Sequence, residues 1–164
     1  LKLKKNDPRC EGMEEFVNDK EWYAFNANYG TDQEKFLVEY IDKFVNSDNT
    51  KEYKEIYLIR NELHFYIYDF DDGQTFSPDF VLFMKSKKGK ELTYQIFIEP
   101  KGDHIKKEDK WKQKFLSKIK EKYKKQGLDK FVETKNFRIV GLPFYNKARE
   151  NDFEDKLLEN LKEK

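Results

Sequence analysis

Asp79, Glu99 and Lys101 are the residues whose types and spacing could do chemistry. They lie in two short stretches, Phe76-Ser77-Pro78-Asp79-Phe80 and Ile98-Glu99-Pro100-Lys101-Gly102. Residues at i and i+2 of an extended strand point to the same face. A strand over 91–101 would therefore project Glu99 and Lys101 together and turn Pro100 away. Asp79 stands at the start of an apolar run, Phe80-Val81-Leu82-Phe83. If the two runs are neighbours in a sheet, two carboxylates and one amine converge on one edge. Two hard oxygen ligands can hold a Mg²⁺ ion that keeps several waters. A lysine beside them can orient or deprotonate one water, or stabilise charge on a phosphate. That combination suits cleavage of a phosphodiester. The plainer alternatives are a turn acid after Pro78 and a Glu99–Lys101 salt bridge.

The elements that must position these residues can be read from periodicity. Thr31 caps a helix over 31–46, and Thr31 with Glu34 has the capping-box spacing. Phe36, Leu37, Tyr40, Ile41, Phe44 and Val45 give it a helical apolar stripe. Glu34 either closes that box or serves as a third acid facing the site. Residues 53–70 read as extended, with Arg60-Asn61-Glu62 as an interruption. Asp72-Gly73 signals a hairpin turn. Residues 76–84 form the next strand, and Pro78 belongs at an edge, a bulge or a strand start. The strand over 91–101 carries apolar residues on both faces, so it should be central and covered twice. A lysine-rich helix follows over 105–125, ended by Gly127. A strand at 137–142 and a helix opening at Asn151 or Asp152 complete the order. Residues 1–30 give only a short helix near Glu14-Glu15-Phe16-Val17, an aromatic segment at Trp22-Tyr23-Ala24-Phe25, and a turn. Three strands joined by short turns should be antiparallel, and a strand reached through a helix parallel to one of them. The expected fold is α/β, a small mixed sheet flanked by helices.

The bulk numbers bound the reading. A length of 164 residues fits one domain with a real core. Charged residues make up 40% and aromatics 16%, so Phe and Tyr must supply much of the core volume. No stretch approaches the ~20 apolar residues of a membrane span, and no signal-peptide pattern opens the chain. With a single cysteine, Cys10, no internal disulfide can form. A reducing, cytoplasmic setting is expected. Leu1 in place of a starting methionine suggests a piece of a longer protein. A net charge of +1 hides an asymmetry: 11–55 is acidic and 101–125 is dominated by lysine. Such a basic block either attracts a polyanion or only solvates a helix.

The element order, with Asp79 on the second strand and Glu99-x-Lys101 on the third, resembles the PD-(D/E)XK nuclease superfamily. Within it, Arg60-Asn61-Glu62-Leu63-His64, then Phe76 through Val81, then Ile98 through Gly102 look like the C-terminal endonuclease domain of type III restriction enzyme restriction subunits. The likeness is clearest over 53–115 and weaker over 22–45. It implies a restriction-endonuclease-like fold, a single domain over 1–164 cut from a chain that also holds a helicase-type translocase, and Mg²⁺ or Mn²⁺ as cofactor. The implied metal ligands are Asp79, Glu99 and the Pro100 backbone carbonyl, with Glu34 as a further acid. Lys101 would position the attacking water. His104, Lys106, Lys107 and Lys112 would contact phosphates. Double-stranded DNA would be the substrate, and a DNA methyltransferase subunit a partner. Pro100 departs from the subgroup, which has a small polar residue there. It is expected to disturb the sheet hydrogen bonding beyond Glu99.

No glycine-rich phosphate loop followed by Lys-Ser or Lys-Thr is present, so ATP chemistry is not expected of this segment. Two alternatives to a nuclease stand beside it. One is a nucleic-acid-binding module with the fold but no activity. The other is an unrelated α/β interaction domain, which predicts no carboxylate cluster.

Overall fold

The structure is a computed structural model and describes residues 13–25, 30–87, 92–105 and 107–162. Its central feature is a four-stranded sheet in the order β1-β4-β5-β6. The strands are β1 (Tyr53–Arg60), β4 (Phe80–Ser86), β5 (Thr93–Ile98) and β6 (Phe137–Gly141). A separate antiparallel hairpin, β2 (Ile67–Asp69) with β3 (Gln74–Phe76), is inserted between β1 and β4. The pairs β1/β4 and β4/β5 are antiparallel, and β5/β6 is parallel. The helices are α1 (Met13–Asn18), α2 (Asp32–Val45), α3 (Lys110–Lys125), α4 (Asp129–Val132) and α5 (Glu150–Lys162). The mixed sheet, its strand directions and its flanking helices agree with the α/β expectation. Among the described residues, no helix is long and apolar enough to cross a membrane.

Two apolar layers cover the sheet, as the two-sided pattern of β5 requires. Tyr94, Ile96 and Ile98 join Leu37, Ile41 and Phe153 of α2 and α5 on one face. Phe97 and Val81 join Phe115, Leu116 and Ile119 of α3 on the other, with Ile67 and Phe76 of the hairpin. The hairpin is pinned along α3. Lys122 Nζ lies 2.7 Å from Asp69 Oδ2, and the Tyr68 N–H donates to the Tyr123 hydroxyl at 3.2 Å.

The interruption expected at Arg60-Asn61-Glu62 is present: β1 stops at Arg60, and Asn61 turns the chain into the hairpin. Several boundaries differ from the sequence expectation. The hairpin loop is four residues, 70–73, because Asp69 pairs with Gln74. Gly73 supplies the left-handed φ of 66° that closes it. The expected strand over 76–84 is broken between β3 and β4, where Pro78 has no N–H to give a ladder. Asp79 therefore precedes β4 instead of lying in it. β5 is shorter than 91–101, so Glu99 and Lys101 lie just past its end. The lysine-rich helix starts at Lys110, after a 3₁₀ turn over Lys107–Asp109. The short α4 had no counterpart in the sequence reading. The final helix opens at Glu150, ahead of Asn151. The aromatic segment is a single bridge, Tyr23 to Leu58. Cys10, Lys106 and part of the turn at 86–90 fall outside the described residues.

Pro100 does not interrupt the sheet as expected. The Glu99 carbonyl accepts from the Tyr145 N–H at 3.0 Å, and the Lys101 N–H donates to the Tyr145 carbonyl at 2.8 Å. A parallel ladder uses the groups on either side of the bridged residue. Pro100 is that residue, so its missing N–H was never needed on this side.

α3 packs very closely on β6. A Cβ at Gly141 would overlap the backbone carbonyl of Leu116, which cannot swing away as a side chain could. Gly141→Ala should therefore destabilise the protein by about 1–3 kcal/mol, the usual range for overpacking. Urea unfolding with an unchanged m-value and a lowered midpoint would show it.

Candidate functional site

The site forms where β4 and β5 meet at one end of the sheet. Phe80 pairs with Ile98, and the next residues outward are Asp79 and Glu99. The Asp79 N–H donates to Glu99 Oε2 at 3.0 Å. Lys101 Nζ lies 2.9 Å from Glu99 Oε1. Glu99 thus spans Asp79 and Lys101 with one oxygen toward each. The i, i+2 spacing did bring the acid and the lysine to one face, with the parallel bridge to Tyr145 keeping the backbone extended past the end of β5.

Asn61 sets the approach to Asp79. Its backbone N–H donates to the Asp79 carbonyl at 2.8 Å. Its side-chain amide donates to Pro78 O and Ser77 Oγ at 3.0 and 2.8 Å, and also to Phe65 O. Its Oδ1 accepts from the N–H groups of His64 and Phe65. One buried side chain therefore fixes both the loop leaving β1 and the segment entering β4. The sequence marked this position as an interruption of a strand and as part of the stretch that carries the resemblance, without a role of its own.

Burial and like charge make the centre costly to hold fully ionised. Burial pushes the Glu99 carboxyl up to about 7, and the neighbouring Asp79 charge adds to the rise while Lys101 opposes it. Burial also raises Asp79, against the pull of Lys101 and Arg60. Each carboxyl group acts on the protonation of the other, so they titrate as a pair. For Lys101, burial favours the neutral amine, but Glu99 and Asp79 outweigh it and the net shift is upward. The lysine stays charged.

Glu34 takes its capping role. The Thr31 N–H donates to Glu34 Oε2 at 2.6 Å, and Arg60 Nη2 lies 3.3 Å from the same oxygen. A Cβ at Gly30 would collide with this carboxylate, so the turn before α2 needs glycine to let Glu34 reach back. Burial raises the Glu34 pKa, Arg60 opposes this, and the charge of Asp79 contributes to the rise. Glu34 therefore feels the site without being drawn into its hydrogen bonds. The sequence places Arg60 at a strand interruption and Gly30 in a turn, but gives neither a role beside Glu34. Their signals, a charge inside an apolar strand and a glycine before a cap, are too common to stand out.

The other named residues are placed less centrally. His104 and Lys107 are exposed. Lys112 is paired with Asp109 at 2.6 Å and sits over the Phe76 ring. Among the described residues, no three His, Cys, Asp or Glu side chains are arranged to hold a metal. Asp79 and Glu99 offer carboxylate oxygens at the end of the sheet, and a backbone oxygen can be added to them. Glu99 O and Lys101 N both face Tyr145. Carbonyls alternate sides along an extended chain, so the Pro100 carbonyl faces the opposite side, that of β4 and Asp79. Two carboxylates and a carbonyl are a hard oxygen set that fits Mg²⁺ or Mn²⁺.

Residues 3–161 match the HI_1054_C family, described as a C-terminal domain. A relative in Haemophilus influenzae, an uncharacterized protein, is 35% identical over 158 residues. That alignment takes in 91% of this chain and 32% of the relative. The chain thus spans about a third of the relative's length. No solved structure matches.

A raised carboxyl pKa in the folded state carries a definite sign. Folding then binds protons, so this contribution is full below the unfolded value near 4.5 and lost as pH rises through about 7. Without divalent metal, wild-type Tm should fall relative to that of Glu99→Gln as pH goes from 5 to 8, by several degrees for a contribution on the order of a few kcal/mol. Parallel melting curves of the two proteins across that range would check it. A constant difference between them would count against the carboxyl pair.

Proposed function

We propose that this chain, which belongs to the HI_1054_C family, is a metal-dependent endodeoxyribonuclease domain with a restriction-endonuclease-like fold. The observation that carries the reading is the meeting of Asp79 and Glu99 at the shared end of β4 and β5, with Lys101 2.9 Å from Glu99. The metal fits the donor set of Asp79, Glu99 and the Pro100 carbonyl. When bound, Mg²⁺ or Mn²⁺ would supply Lewis acidity and offset the phosphate charge. The chain's own residues then divide the work. Asp79 and Glu99 give up the proton they share and present oxygens. Lys101, held charged, donates to the attacking water or to a phosphate oxygen, and so orients or stabilises instead of abstracting a proton. Arg60 neutralises Glu34, which stays near the centre as a further acid. Asn61 keeps Asp79 in register with Glu99.

The substrate in this reading is double-stranded DNA. The type III-like setting adds an ATP-driven translocase region elsewhere in a longer chain and a DNA methyltransferase subunit, in the cytoplasm. Its support is the sequence likeness over 53–115 and a relative about three times as long as the matched segment.

A second reading is a nucleic-acid-binding module that keeps the fold without the activity. The engagement of Glu34 by Thr31 and Arg60 favours it, because the centre is left with two carboxylates.

Nicking of supercoiled plasmid separates the two. The nuclease reading expects cleavage that requires Mg²⁺ or Mn²⁺ and falls by about 10²-fold or more in Lys101→Ala, with Asp79→Ala equally inactive. Cleavage that survives Lys101→Ala, or none with any divalent metal in the chain and in its full-length parent, would overturn it.

A further inference from the structure

Apart from Lys124 and Lys125 at its end, the lysines of α3 fall into two sets. Lys112, Lys120 and Lys122 turn toward the body of the protein and are paired with Asp109, Glu133 and Asp69. Lys110, Lys114 and Lys118 are exposed on the other side. No ion pair to any of these three occurs among the described residues. At four-residue spacing they lie on one face, about 6 Å apart along the axis. Three like charges in a row weaken a helix slightly, and among the described residues the acid on that side is Glu121, exposed three residues past Lys118, where it ends the row.

The topology places one end of this row at the candidate site. β5 runs toward the site, the chain turns over residues 99–109, and α3 runs back. Lys110 therefore stands at the site end of the helix. The charge of the adjacent Asp109 is felt at Lys101, which ties that end to the centre electrostatically.

We propose that Lys110, Lys114 and Lys118 form a track for the phosphate backbone of duplex DNA, and that its near end leads the backbone toward Asp79 and Glu99. A row of flexible ammonium groups with no side-chain acceptors of their own fits a repeating, sequence-independent anion. The choice of DNA rests on the nuclease reading. The track itself needs only the duplex.

Fluorescence anisotropy with a labelled duplex oligonucleotide, over a salt series and without divalent metal so that no cleavage occurs, tests the track. The proteins compared are wild type, the triple variant Lys110→Gln/Lys114→Gln/Lys118→Gln, and Lys156→Gln on α5 as control. Glutamine keeps the helix propensity at exposed positions, and thermal melts check that each protein is folded. The slope of log K against log salt should become shallower by about 2–3 in the triple variant, at roughly 0.9 per lost phosphate contact, and stay unchanged in Lys156→Gln. An unchanged slope in the triple variant, an equal change in the control, or no duplex binding by wild type would each overturn the track. Plasmid nicking on the same proteins separates this from the function above. Metal-dependent cleavage with an unchanged slope removes the track and leaves the nuclease. A slope that shifts as expected, with no cleavage under any metal, keeps the track and favours the binding module.

Discussion

Two carboxylates held side by side in a largely buried place are the constraint on which the rest of the site depends. Asp79 and Glu99 repel each other, and burial removes the water that would soften the repulsion. The surroundings answer with positive charge, Lys101 on Glu99 and Arg60 nearby, and with directed backbone donors. These offset part of the cost. The remainder is relieved by a proton, or by a cation in the proton's place. A pair that serves only to join two strands would be cheaper as apolar residues.

The rigidity of the frame follows from where each member is attached. Asp79 hangs on Asn61, which is bonded to both sides of the hairpin insertion. Glu99 and Lys101 are fixed by Tyr145 through two backbone hydrogen bonds. The Tyr145 hydroxyl is in turn bonded to the Phe36 carbonyl of α2 and to Glu150. The helix that carries Glu34 and the strands that carry the carboxylates are so linked through a few buried polar contacts, and the apolar layers on either face of the sheet fill the space between.

Much of this was legible in the sequence, for identifiable reasons. The central position of β5 followed from apolar residues on both of its faces, and α2 from its cap and stripe. The Glu99–Lys101 pairing followed from the period of an extended chain. What escaped were features set by contacts distant in sequence. The break at Arg60-Asn61-Glu62 could be read, but not its cause, the bonds of Asn61 to Pro78 and Ser77 sixteen and more residues away. Pro100 looked disruptive because sequence does not say which side of a strand its neighbours use. Glu34 matched two roles at once, and the sequence does not show the Thr31 N–H and Arg60 contacts that hold its carboxylate.

The bond pattern around Tyr145 also has a consequence for the order of folding. The meander of β1, β4 and β5 closes through contacts near in sequence, whereas β6 and the segment carrying Tyr145 arrive only after the long crossover through α3. Distant contacts are made late because their loop-closure entropy must be overcome first. Glu99 and Lys101 acquire their backbone partners with that last docking step. A chain still emerging during synthesis would thus bring Asp79 and Glu99 together with the β4–β5 pairing, before Tyr145 is there to fix the backbone on either side of Pro100.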